Sequence, residues 1–319
     1  NGTTQGIARG DRQGDRMDGL LSPSRRDTSR RRQPLRGFAF KELLVVLIVI
    51  GMLVAFLVPM LRAAKQRSYG LQCADHLRQI GQAMLIYMDD NRGEYPRTRA
   101  SDAEVGKPTW GTGAAAADPF GPDGPKDDDV TAGPFLLLRA KLVEPTVFVC
   151  PSTDEVADHF AAHARGALGR SNFTSLKRNL SYSFHNVYAD RRAAAANWDM
   201  YRSAPDARVA LADTAYVADK NPGLRGPFGE PQRDDVRKPT AESPSDILRL
   251  GNSPNHNKIG QNVLYFDGHV AWTDSPLCGY SEDNIFVRAA TLAGDASDLA
   301  DPFGSPVDIA DSVLLPTDD

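Results

Sequence analysis

Residues 37–61 read GFAFKELLVVLIVIGMLVAFLVPML, and after Glu42 the nineteen positions Leu43–Leu61 carry no charge. At about 1.5 Å per residue, a helix of that length crosses the hydrocarbon core of a bilayer. The remaining sequence offers no second run of this kind, so one membrane anchor near the N-terminus is expected. A cleaved secretory signal has a shorter apolar core, about 7–15 residues, and then a small-residue cleavage site. Here the run passes into PMLRAAKQRSYG, which reads as further helix, and Ala63-Ala64 is a poor cleavage site. The arginines of SRRDTSRRR lack the rest of a twin-arginine address. The anchor is therefore expected to stay.

Charge gives the expected orientation. Residues 1–36 hold nine Arg against four Asp, a surplus of five; the whole chain is −4, so the remainder carries −9. Positive flanks stay cytoplasmic. The expectation is a single-pass protein of the inner membrane with a cytoplasmic N-terminus and an extracytoplasmic acidic body. The basic segment is poor in apolar residues and is expected to be disordered; Met17 would set a leader of 21 residues through Gly37. An acidic body disfavours nucleic acid, whose phosphates need basic patches.

Five positions in the anchor form a pattern. Gly37 precedes Phe38, Glu42 is the fifth residue counted from Phe38, and Gly51 and Pro59 are the fourteenth and twenty-second. On these residues the stretch resembles the N-terminus of type IV prepilins and pseudopilins. The resemblance implies cleavage between Gly37 and Phe38 by a prepilin peptidase, N-methylation of Phe38, and assembly with other pilin-like subunits or with itself. Glu42 would then be an assembly residue paired with the free amino group of a neighbouring subunit. In physical terms, a carboxylate at the membrane edge is costly unless paired; the plain alternative is a side chain reaching water beside Lys41. Lys41 itself departs from the pattern, which usually has an apolar or small residue there. Gly51 and Pro59 make a bend plausible, although both residues are frequent in membrane helices.

Beyond the anchor, Cys73, Leu77, Ile80, Met84 and Tyr87 recur at spacings of four, three, four and three. That is one face of a helix, and it needs a partner surface. Asn91-Arg92-Gly93 followed by Pro96 reads as a stop, so the helix is predicted over about Phe40 to Asp90, on the order of 75 Å. Residues 97–133 lose all periodicity and read as a loop, with Asp127-Asp128-Asp129 as a solvated face. PFLLLRAKLVEPTVFVCPS (134–152) predicts a short helix, a turn and a strand ending at Cys150; LSYSFHNVY (180–188) predicts a half-buried strand, and RVALAD (208–213) another. NVLYFDGHVAW (262–272) predicts a hairpin with a two-residue Asp267-Gly268 turn. That register puts Val263, Tyr265, Val270 and Trp272 on one face, where they could receive the helix stripe.

The hairpin, with SPNHNKIGQ before it, resembles a bacterial family named for a His, nine residues and Asp-Gly and associated with prepilin processing. Its motif residues here are His256, Asp267 and Gly268, with ten residues between His256 and Asp267 instead of nine. The resemblance extends over the N-terminal helix, YMDDNRGEYP, VFVCPS and the closing DSVLLPT. It implies a pilin-like architecture.

The soluble part offers candidate chemistry. His256, Asp267 and His269, with Asp213, could bind a divalent metal or make an acid–base site. No HExxH or paired CxxC spacing is present, Asp267 is explained by the turn, and His256 can simply order its loop by hydrogen bonding. No catalytic residue and no cofactor are expected. The pseudopilin resemblance implies calcium as a candidate ion: major pseudopilins of secretion systems bind it near their C-terminal end, and Asp295, Asp298 and Asp301 would be its ligands here. Their spacing is not that of an EF-hand loop, and a solvated acidic tail is the alternative. The three cysteines would lie in an oxidising compartment, and an odd count leaves at least one unpaired within the chain. Cys73 falls on the apolar stripe, and Cys150 with Cys278 is the pair to test.

The fold expected is α+β and pilin-like: a long N-terminal helix, half in membrane lipid, packed on an antiparallel sheet with long loops. Its parts are a leader (1–37) that is removed, a transmembrane and amphipathic helix (38–95) and an extracytoplasmic domain (96–319). The function expected is a pseudopilin-like structural subunit of a type II secretion or type IV pilus-like assembly. The alternatives are a membrane-anchored binding module and, further off, a metal-dependent enzyme using His256 and Asp267.

Overall fold

The computed structural model describes residues 40–101, 107–160, 165–188, 212–223, 236, 239–288, 304–306 and 311–316. Gly37, Phe38 and the basic leader lie outside them, as do Asp295, Asp298 and Asp301. The chain divides into two compact units, Asn1–Ala55 and Phe56–Asp319.

In the first unit, every residue from Phe40 to Ala55 is helical and exposed. They begin helix α1 (Phe40–Asp90), which passes Pro59 without interruption. Among the described residues this is the one helix long and apolar enough to cross a membrane, and none of its most apolar stretch is buried. Exposed Leu, Ile and Val in such density need an apolar medium around them.

In the second unit, the later turns of α1 bury the stripe read from the sequence: Cys73, Leu77, Ile80 and Met84 have no exposure. Each such side chain is worth roughly 1.5–3 kcal/mol of transfer free energy. Gly81 lies on the same surface, and a Cβ there would come within 3.0 Å of Leu264. The helix stops as expected. Arg92 and Gly93 take positive φ, and the Gly93 N–H bonds back to the Met88 carbonyl at 2.8 Å.

Five antiparallel strands form one sheet: β1 (Tyr182–His185), β2 (Ala215–Asp219), β3 (Gln261–Tyr265), β4 (Val270–Thr273) and β5 (Leu314–Leu315), in the order β4-β3-β2-β1-β5. The class is thus α+β. One face carries Tyr182, Phe184, Val217, Leu264 and Phe266, packed with the α1 stripe and with helix α2 (Ala132–Arg139). The other is covered by a smaller cluster that includes Val236, Ile285 and Phe286. Cover on both faces explains why β1 is wholly buried, not half-buried as its alternation suggests. A bulge between Ala215 and Val217 sets consecutive Tyr216 and Val217 on the α1 side.

The hairpin exists, but its register differs by one residue from the expected one. Leu264 pairs with Val270 and Val263 with Ala271, and the Tyr265 N–H bonds to the His269 carbonyl at 3.0 Å. The loop is therefore three residues, Phe266-Asp267-Gly268, with Gly268 at φ +91. A three-residue loop closed by a positive-φ glycine is the next commonest solution after the two-residue turn. The slip exchanges the faces: Leu264, Phe266 and Val270 meet the α1 stripe, while Val263 and Tyr265 face away.

Three local expectations are corrected. Before Cys150 the chain forms a 3-10 turn at Pro145–Phe148, not a strand, because Pro145 starts a tight turn whose Phe148 fills the core. Residues 208–211 lie outside the described set; Ala212 and Asp213 are helical, and the strand begins at Ala215. Of the three aspartates at 127–129 only Asp127 is exposed, where it pairs with Arg99 at 3.2 Å. Asp128 and Asp129 are buried. Asp129 Oδ1 accepts from Thr131 N, Thr131 Oγ1, Ala132 N and Asn172 Nδ2, and Oδ2 from Thr112 N and Oγ1. Six donors compensate the lost hydration of one carboxylate and organise the loop.

Candidate functional site

A buried polar cluster lies where α1 meets the sheet. Cys73 is joined to Cys150 by a disulfide with Cα atoms 5.4 Å apart. This corrects the expected Cys150–Cys278 pair: the 3-10 turn carries Cys150 onto the α1 stripe. Cys278 remains a free thiol on the far side of the sheet, and burial pushes its pKa up to about 11. One turn beyond Cys73, His76 Nδ1 lies 3.0 Å from the Val149 carbonyl and 3.4 Å from the Tyr182 hydroxyl. Burial lowers the His76 pKa, partly offset by that carbonyl. Tyr182 titrates well above its ordinary range through burial and the nearby Asp219 and Glu155.

His256 closes the opposite side. Pro254–His256 is a 3-10 turn in which Ser253 Oγ accepts from the Asn255 N–H and Asn257 turns the chain at φ 56. The imidazole, buried, lies edge-on to Trp272. Its Nε2 is 3.2 Å from Asp219 Oδ2 and 3.6 Å from Cys150 Sγ, and its Nδ1 is 3.2 Å from Ser152 Oγ. Asp219, the fully buried last residue of β2, also accepts from Asn255 Nδ2 (3.0 Å), Asn262 N (2.7 Å) and Asn262 Nδ2 (3.2 Å). Asn262 reaches back to the Gly70 carbonyl of α1 at 3.3 Å. Beside this lies the Lys220–Glu155 ion pair at 3.1 Å, both side chains largely buried, with Ser181 donating to Glu155.

The structure separates the residues that the sequence groups. His256 is buried against Asp219 and the disulfide; Asp267 and His269 form an exposed pair at 2.6 Å, with the His269 ring stacked on Tyr265. Asp213 is exposed. A shared metal or acid–base site of His256, Asp267, His269 and Asp213 is therefore replaced by His256 with Asp219. Glu42 sits in the exposed first turn of α1. Asp283 accepts from the Ser312 N–H and Asp311 is buried, so these two flanking aspartates are tied into the fold, while Asp295, Asp298 and Asp301 lie outside the described residues. Asp219, Ser152 and Asn255 were not singled out in the sequence; the Asn-His-Asn run around His256 is the one local signal near them.

Ser152, His256 and Asp219 touch in series, but the serine is not an activated nucleophile. Its hydroxyl proton goes to the Asn255 carbonyl at 2.6 Å, not to the imidazole. The arrangement binds α1, the Cys150 segment, β2 and the His256 turn into one joint. Comparison of the chain with protein-family models, with curated proteins and with solved structures finds no match.

Proposed function

We propose that this chain is a single-pass, pilin-like structural subunit of the inner membrane, anchored by the first part of α1 with its sheet domain outside the cytoplasm. Prepilin peptidase removes the leader between Gly37 and Phe38, Phe38 is methylated, and the subunit joins a type II secretion or type IV pilus-like assembly through its helix, with Glu42 in the pairing. The observation that carries the reading is α1 itself, apolar and exposed through its first turns, then amphipathic and buried from Cys73. The Gly37-Phe38, Glu42, Gly51 and Pro59 pattern supplies the processing step, and the basic flank of residues 1–36 the orientation. A disulfide at the joint suits an oxidising compartment.

Intact-mass measurement of the chain taken from its native membrane tests this directly. The expected mass is that of a chain starting at methylated Phe38. A mass that retains the arginine-rich leader overturns the reading.

A further inference from the structure

We infer that Cys73, Cys150, His256 and Asp219 form a second, mutually exclusive site: a buried tetrahedral centre for a zinc-class divalent cation whenever the Cys73–Cys150 bond is reduced. All four residues are buried, and their donor atoms lie within 4.8 Å of one another. Two thiolates, one imidazole and one carboxylate are the donor types a borderline-soft d10 cation takes, at about 2.3 Å to sulfur and about 2.0–2.2 Å to nitrogen and oxygen. A tetrahedron with those bond lengths has edges of roughly 3.3–3.8 Å. Nε2 of His256 already stands 3.2 Å from Asp219 Oδ2 and 3.6 Å from Cys150 Sγ. The sulfur–sulfur edge has to open, and the remaining edges, all within 4.8 Å, have to settle to tetrahedral length.

Hydrogen-bond accounting around His256 gives an independent reason. Ser152 has one hydroxyl proton, and it is given to the Asn255 carbonyl. The Ser152 oxygen at 3.2 Å is then an acceptor, so His256 Nδ1 is the donor. With Nδ1 committed to Ser152, Nε2 is the ring nitrogen turned toward the cysteine sulfurs and the carboxylate. Metal-ligating histidines characteristically have the other ring nitrogen fixed in this way. The Asp219 carboxylate is likewise held, with Oδ1 on Asn255 and Oδ2 on Asn262.

The redox step balances with a dithiol reductant. The protein disulfide takes two electrons and two protons, the dithiol closes to its own disulfide, and cation binding then releases two protons from Cys73 and Cys150 to solvent. The joint between α1 and the sheet is cross-linked in both redox conditions, by a covalent bond in one and by a cation in the other.

Cobalt(II) is the probe for the test, added alone to the full chain in detergent, either oxidised or reduced with excess dithiol that is then removed under argon. About one cobalt per chain is expected in the reduced protein, with a thiolate-to-cobalt charge-transfer band and the strong visible bands of tetrahedral cobalt, and none in the oxidised protein. His256→Gln and Asp219→Asn keep both cysteines and are expected to weaken binding by tenfold or more. Failure of the reduced chain to bind cobalt overturns the inference. So does equal affinity in wild type and both variants, which is the behaviour of an unfolded dithiol.

Discussion

Asp129 and Asp219 are both carboxylates with no exposure, and they are held in opposite ways. Asp129 is surrounded by backbone N–H groups, hydroxyls and one amide, all neutral, and five of its six donor contacts come from within three residues or from the adjoining loop at Thr112. Its acceptor capacity is filled, and it does nothing but shape the loop. Asp219 spends its contacts on Asn255, Asn262 and an imidazole that also faces a disulfide. The lesson is that burial of a charge is not by itself a sign of chemistry; the type of partner decides. A saturated carboxylate among neutral donors is architecture, whereas one beside an imidazole and two sulfurs has ligand character.

The largest effect is expected at the joint. Cys150→Ser opens a cross-link spanning 77 residues, which the chain-entropy model values at about 4.5 kcal/mol. Chemical denaturation in detergent, followed by tryptophan fluorescence, measures it; a loss under about 1 kcal/mol would show that the polar contacts alone hold the joint.

Acid provides a probe of a buried group belonging to neither carboxylate cluster. His185 in β1 is wholly buried, edge-on to Phe266, and burial drives its pKa down to about 3, slightly offset by the Ala215 backbone. A base whose folded pKa lies below its unfolded value of 6.5 stabilises the fold fully above 6.5, and that contribution drains away as pH falls toward 3. At 1.36 kcal/mol per unit, the part lost by pH 4 is on the order of 3 kcal/mol. Unfolding curves between pH 7 and 4 should show the decline, and His185→Gln should flatten it. His76 adds the same sign at the joint, so hydrogen-exchange protection factors around residues 73–80, corrected for the intrinsic pH dependence, should fall below pH 6.5.

Asp129→Ala strips the shared acceptor from buried donors and is expected to cost roughly 3 kcal/mol. It should leave cobalt binding by the reduced chain unchanged, and altered binding would erase the distinction between the two aspartates. Smallest of all is Asp267→Ala. The exposed pair with His269 is worth under about 1 kcal/mol, and a thermal shift beyond a few degrees would show that the turn is more than a turn.

The sequence displays α1 almost to the residue, because an uncharged run, a stripe at three and four spacing and an Asn-Arg-Gly stop are all local signals. Cys73 is legible as buried for the same reason. The hairpin is legible but its register is not, since Asp-Gly serves two-residue and three-residue loops alike and only packing of Leu264 beside Gly81 selects one. The two buried aspartates are illegible. Asp219 draws its meaning from Asn255, His256 and Asn262, some forty residues later, and Asp129 sits in a charged run that resembles any solvated surface. Cys150 is misread for want of the 3-10 turn that aims it at α1.

The disulfide also occupies a telling place along α1. The buried stripe begins at Cys73, so the covalent bond to the Cys150 segment sits at the first side chain of that stripe, just after the Gly70 carbonyl meets Asn262 of β3. A pull applied to the chain before Cys73 meets that bond before it can peel Leu77, Ile80 and Met84 off one by one. Force entering there passes through the disulfide into the Cys150 segment, and the apolar stripe behind it is shielded.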